Sequence, residues 1–244
     1  MKDFKQILDA VKTVSDGQTI QIFVPSDGKK RIFKLLTAKQ QKDLIKTVAE
    51  KNISPIIFVE TLNKIINANS VEKYEYSVSD RTYIIAVLRA HSVSKDLIVN
   101  ADVIDLTKLN DSNTKIDNSV LERILETCDL KINCRVPSLK EDSDYNTALI
   151  DVSKNKSASD VFGEVFIYEV SKYITSISSE VLGLDIKLGD LAVKQRCQLI
   201  ESLPAKAYNE VIEYVNQVRS EENKNLIIDG RVIDIELDLT FFTA

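Results

Sequence analysis

The sequence predicts an α+β fold, with antiparallel hairpins at both ends and a predominantly helical middle and C-terminal half. Three observations carry this. Short alternating segments meet at Asp-Gly pairs near both ends of the chain, at Asp27-Gly28 and Asp229-Gly230; such pairs close tight turns. Between them lie amphipathic segments with apolar residues at helical spacing. The strand-helix-strand rhythm of a parallel sheet is missing.

Each element is expected in order. "MKDFKQILDAVKTV" is an amphipathic helix with Phe4, Ile7, Leu8 and Val11 on one face, and it lacks the unbroken apolar centre of a signal peptide. "QTIQIFVPS" alternates Ile20, Ile22 and Val24 as a strand, and "RIFKLL" returns after the Asp27-Gly28 turn, with Lys29, Lys30 and Arg31 at an exposed tip. Thr37 and Gln40 form a capping box opening a helix to about residue 50. Ser54 and Pro55 open a second helix, "SPIIFVETLNKIINA", and Asp80 a third, "DRTYIIAVLRAHS". "DLIVNADVIDL" reads as strand, "DNSVLERILETC" as a short helix, and "DLKINCRVPSL" as a strand.

Residues 140–159, "KEDSDYNTALIDVSKNKSAS", are polar and charged and are expected to form a loop or hinge. They divide an N-terminal α+β part, 1–139, from a helical part, 160–244. The latter begins with the long helix "ASDVFGEVFIYEVSKYITSI", and "LGLDIKLGD" is a short excursion after it. A helix pair follows, "DLAVKQRCQLIESL" and "PAKAYNEVIEYVNQVRSE"; in the second, Tyr208, Val211, Ile212, Val215 and Val218 share one stripe. "NLIIDGRVIDIELDLTFF" is the closing hairpin.

Composition narrows the function. The 244 residues suffice for one large domain or two small ones, and 44% apolar with 28% charged residues is ordinary for a folded protein. A net charge of −5 disfavours nucleic acid as the main partner. No apolar run reaches the ~18 residues of a membrane span. Three widely spaced cysteines, Cys128, Cys134 and Cys197, suit a reducing compartment and fit small buried apolar side chains better than a metal knuckle.

No residue pattern points to catalysis, a cofactor, a metal or a small-molecule substrate. "SDGKKR" has one glycine, already used by the turn, and no phosphate-loop context. His91, the single histidine, sits at a helix end where its side chain suits exposed carbonyls. Acidic groups such as "KEDSD" and "SEEN" read as solvated faces and caps.

The basic stretch remains. Lys29, Lys30, Arg31, Lys34, Lys39, Lys42 and Lys46 face one anion, Asp43. A solvated edge or a surface for an acidic protein partner both fit it. Nucleic-acid binding is a third reading, with Phe33 as its lone interleaved aromatic.

Several segments together resemble one family. "VPSDGKKRIFKLLTAKQQKDLIKT" is similar to the opening segment of the baseplate hub and hub-assembly proteins of T-even-like contractile-tailed bacteriophages. There a Ser-x-Gly-Lys-Lys turn between two strands leads into a helix. "TYIIAVLRAHSVSKD" resembles the family's leucine-rich helix end, with Ser94 where glycine is usual. "LKINCRVPSL" matches a strand placed before a long helix. "LGDLAVKQRCQLIESLPAKAYNEVIEYVNQV" resembles the closing helix pair, and "DGRVIDIELDLTFF" the terminal hairpin with its paired phenylalanines. Many relatives carry a Cys-x-x-Cys knuckle there and this chain does not, so no metal is carried over.

The resemblance spans nearly the whole chain. It implies a structural or morphogenetic protein of the tail baseplate, or a hub-assembly chaperone absent from the finished virion. Its partners would be other tail and hub proteins, and its location the host cytoplasm during assembly and then the virion. Partner contacts are expected at Lys29, Lys30, Arg31 and Lys34. Phe241 and Phe242 are expected either in an interface or in the core under the last hairpin.

Overall fold

Why the chain folds as it does is clearest at its turns and caps, seen in a computed structural model that describes residues 3–49, 55–99, 102–109, 115–154, 158–224 and 226–243. The fold is α+β, with small antiparallel sheets among helices. It divides into two units. Unit 1 comprises Met1–Tyr74, Asp80–Lys115 and Lys224–Ala244, and unit 2 comprises Glu75–Ser79 and Ile116–Asn223. Unit 1 is therefore assembled from both ends of the chain, and the division does not fall at residues 140–159.

In unit 1, α1 (Phe4–Gly17) leads into a hairpin of β1 (Thr19–Val24) and β2 (Lys29–Lys34), paired from Thr19↔Lys34 to Val24↔Lys29. The connection is four residues rather than two, because Pro25 and Ser26 precede Asp27-Gly28. The amides of Asp27 and Gly28 both donate to Val24 O, and Gly28 takes φ +69°, which costs glycine little. The Thr37–Gln40 capping box is present: Thr37 N donates to Gln40 Oε1 at 2.9 Å and Gln40 N to Thr37 Oγ1 at 3.3 Å. It opens α2 (Ala38–Ala49), which packs on α3 (Pro55–Asn69). Pro55 stands at the first helical position as expected; Ser54 lies outside the described residues.

Helix α4 (Arg81–Ser92) buries Tyr83, Ile84, Ile85, Leu88 and Arg89. Asp80 precedes it but makes no side-chain cap bond. Its carboxylate instead accepts from Ser26 N at 2.8 Å and Ser26 Oγ at 2.7 Å, tying the first turn to the start of α4. "DLIVNADVIDL" forms two strands, β3 (Asp96–Val99) and β4 (Asp102–Asp105), in antiparallel register from Asp96↔Asp105 to Val99↔Asp102.

Unit 2 corrects several expectations. "DNSVLERILETC" is helical only over α5 (Asn118–Leu121) and then extends as β5 (Glu122–Thr127). Alternation decides it: Leu125 and Thr127 go inward while Ile124 and Glu126 face out. Cys128 and Asp129, at φ +53° and +60°, close a two-residue turn into β6 (Leu130–Arg135).

The expected polar hinge is also a correction, since residues 139–153 form α6 (Leu139–Ser153). Ser138 Oγ accepts from Glu141 N, and Glu141 returns to Ser138 N at 2.8 Å, a full capping box. The buried face of α6 carries Asp142 and Asn146 beside Leu139, Tyr145 and Leu149, so polar composition hid its periodicity. Helix α7 (Ala158–Ser171) ends earlier than expected, and Ile174–Ser179 form β7. "LGLDIKLGD" supplies β8 (Leu184–Lys187), completing a four-stranded antiparallel sheet in the order β5-β6-β7-β8.

The expected helix pair is α8 (Val193–Glu201) and α9 (Ala205–Lys224). Val211, Val215 and Val218 are buried on α9 beside Tyr214, each valine contributing about 1.5–3 kcal/mol when fully removed from water. Tyr214 Oη donates to Val120 O and Leu121 O, both at 3.1 Å, and so joins α9 to α5. The chain returns to unit 1 through β9 (Ile227–Ile228) and β10 (Arg231–Val232), turning at Asp229-Gly230, before α10 (Leu239–Phe242).

Candidate interaction surfaces

The basic stretch does not form one charged face. Period-two alternation puts Lys29 and Arg31 on the side of buried Phe33, and Lys30 and Lys34 on the other. Arg31 is the most constrained. Its Nε and Nη2 reach Asp27 Oδ2 at 3.0 and 2.6 Å, its Nη1 reaches Glu72 Oε2 at 2.8 Å, and its guanidinium lies 3.5 Å from the centre of the Tyr74 ring. Burial works against the Arg31 charge, but the two carboxylates outweigh it and hold its pKa above the ordinary value. Lys34 Nζ meets Asp16 at 2.8 Å. Arg31 and Lys34 are thus part of how the hairpin is held. Lys29, Lys30, Lys39, Lys42 and Lys46 are exposed.

Phe241 and Phe242 are core residues, 0% and 1% exposed, so they are not available as a free interface. Asp238 caps α10 by accepting from Phe241 N at 2.9 Å, which turns both rings inward. They meet edge to face at 4.9 Å, and Phe242 packs on Phe58 at 6.0 Å. Gln41 Nε2 donates to Phe242 O at 3.1 Å.

Arg89 is buried, although its charge predicts an exposed side chain. It is 2% exposed; its Nε donates to Phe241 O, its Nη1 to Ser94 O at 2.5 Å, and its guanidinium lies 5.2 Å from the Phe241 ring. Burial lowers its pKa. A signal was present: Arg89 follows Ile85 by four residues and so lies on the apolar stripe of α4. His91 sits in the last turn of that helix and is exposed.

Among the described residues of unit 2, Lys172 and Asp142 are buried charged groups. Lys172, 6% exposed in its side chain, meets Asp142 at 2.6 Å and Glu169 at 2.7 Å, and Arg219 joins Glu169 at 2.9 Å. Burial alone would raise the Glu169 carboxyl, but Lys172 and Arg219 hold it below the usual carboxylate value. Every one of these four side chains has an oppositely charged partner. Its role is to hold α6 and α7 together.

Cys134 and Cys197 are buried, and burial pushes their thiols up to about 12 and about 11. Cys128 is exposed in its turn. Among the described residues, no group of three or more His, Cys, Asp or Glu side chains could hold a metal. A concavity of about 550 Å³ between α7, α8 and α9 is lined by Ile167, Ile200, Leu203 and Tyr208, with Glu164 and Glu201 at its margin. The Tyr208 hydroxyl is buried there without a hydrogen-bond partner.

The surface carries exposed apolar groups. Ile98 and Val103 are cross-strand partners, 71% and 67% exposed. Val181 and Leu182, in the β7–β8 turn, are 76% and 63% exposed. Helix α1 buries no residue at all.

The described surface thus carries two pairs of exposed apolar side chains and one helix that buries nothing. A family model described as T4 bacteriophage base plate protein matches residues 17–223, and the chain belongs to that family. It is therefore a bacteriophage baseplate-associated protein. The comparison with curated proteins gives no match, and neither does the comparison with solved structures. No helix among the described residues is long and apolar enough to cross a membrane.

Proposed function

We propose that this chain is a structural or morphogenetic protein of the hub of a contractile-tail baseplate, and not an enzyme. It works through contacts with other tail and hub proteins, in the host cytoplasm during assembly and then in the virion. The family match over most of the chain carries this reading. The exposed pair Ile98 and Val103 and the turn residues Val181 and Leu182 support it, because such groups gain from being covered. The surface lysines Lys29 and Lys30 remain candidate contacts for an acidic partner. The nucleic-acid reading is weakened, since Arg31 and Lys34 are spent on internal ion pairs.

The test is quantitative peptide mass spectrometry on purified particles, scaled to a tail protein of known copy number. A stoichiometric signal at a count compatible with the tail's symmetry supports a hub component. Absence from particles, with abundance in infected lysate and in isolated hub intermediates, makes it the assembly chaperone. Absence from both particles and hub intermediates overturns the hub reading.

A further inference from the structure

Among the described residues, helix α1 is the element with the most exposed apolar side chains. Phe4, Ile7, Leu8, Val11 and Val14 are 75%, 48%, 42%, 61% and 65% exposed, and no residue of the helix is buried. Its C-terminal end is fixed: Asp16 pairs with Lys34, and Leu35 N donates to Gln18 O at 3.0 Å. The stripe is thus held out on an anchored helix. It lies N-terminal to the family match, which begins at residue 17.

We infer that α1 is a self-association element, and that its apolar stripe is covered by the α1 stripes of other copies of this chain. The spacing points to it. Phe4, Ile7, Val11 and Val14 alternate by three and four, the a and d positions of two heptads, which gives a seam suited to a left-handed coiled coil. The flanking e and g positions are Leu8, Ser15, Ala10 and Gly17, all uncharged. These positions select partners by charge. With no charge at these positions, identical copies meet no like-charge repulsion there.

The polar side is balanced, Lys5 and Lys12 against Asp9 and Asp16. An anionic membrane surface, which favours a cationic polar face, is therefore not the occupant. The area is adequate: five such side chains expose on the order of 500 Å² per helix, so two facing stripes remove roughly 1,000 Å², the lower bound of a specific interface. Ile7 and Val14 occupy the d positions and Phe4 and Val11 the a positions, with Leu8 widening the seam.

The inference does not depend on the hub reading, and its test is separate. Sedimentation equilibrium of the full chain at tens of micromolar should give an oligomer. Ile7→Asp with Val11→Asp should shift it to monomer, weakening association at least 100-fold. Because α1 buries nothing, the variant's circular dichroism and thermal unfolding outside the association step should match the parent. Val11→Leu should keep the oligomer. A monomeric parent overturns the inference, and so does an oligomer that survives the double aspartate substitution.

Discussion

Replacing Phe241 with alanine tests whether the last residues are structural. The side chain is 0% exposed, touches Phe242 edge to face at 4.9 Å and lies under the Arg89 guanidinium at 5.2 Å. Truncating a buried phenylalanine costs about 3–5 kcal/mol through lost transfer energy and the cavity left behind. The upper half of that range applies, because a charged group loses a neighbouring ring and cannot collapse into the void. Leu239, two residues earlier and 40% exposed, is the control, and Leu239→Ala should cost less than about 1 kcal/mol.

Urea unfolding followed by far-ultraviolet circular dichroism and tyrosine fluorescence is the assay, as the chain has no tryptophan. The midpoint of unit 1 should fall with Phe241→Ala, and the thermal midpoint should drop by on the order of 10 °C. If Phe241→Ala and Leu239→Ala cost the same, and both less than about 1 kcal/mol, the argument that the C-terminal segment completes the unit 1 core is wrong.

Other perturbations follow from the same structure. Ser138→Ala removes one half of the α6 capping box and should cost about 1 kcal/mol in equilibrium unfolding, while Ser138→Asp should recover most of it. Asp142→Ala leaves Lys172 with Glu169 alone and should destabilise by about 3 kcal/mol; pairing it with Lys172→Met should restore part of the loss, as a double-mutant cycle would show. Glu169 has a folded pKa below its ordinary value, so its unfolded form binds the proton more readily. Its contribution is complete above about pH 4.5 and is lost as pH falls through the folded value; Glu169→Gln should flatten the acid limb of stability measured below about pH 5. Iodoacetamide on the native chain should label Cys128 rapidly and Cys134 and Cys197 only after unfolding, read by intact mass.

How much was legible depends on which signal each element relied on. Local chemistry was readable: the Thr37–Gln40 box, Pro55 and the two Asp-Gly turns all mark real boundaries. Helix α6 was missed because its inward face carries Asp142 and Asn146, whose burial is compensated by Lys172, thirty residues on, a partner that composition does not reveal. Strands β5 and β7 were read as the tails of helices, since "ERILET" and "YITSIS" are apolar runs too short to separate the two periods. Tertiary pairing with β6 decided them. At the surface, the lysine run is visible in the sequence, and strand alternation divides it between two sides. Arg89 is legible by its spacing, but its charge by itself predicts an exposed side chain. Phe241 and Phe242 were seen, with both outcomes open, and only the Asp238 cap settles which way they turn.

The interleaving of the two units bears on the order in which the chain can fold during synthesis. Unit 2 is nearly contiguous, so it can close on itself as soon as residues up to about 223 have emerged. Unit 1 cannot. The Arg89–Phe241 bond spans 152 positions in sequence, and until that span is made the Arg89 charge has no Phe241 carbonyl to bind and the Phe58 ring no aromatic neighbour at position 242. The first half of the molecule must wait, partly open, while an entire second body is translated. Closing so long a loop is entropically modest but kinetically late. A ribosome that stops short of residue 241 thus releases a chain with one finished half and one half whose apolar interior is still accessible to chaperones or to proteases.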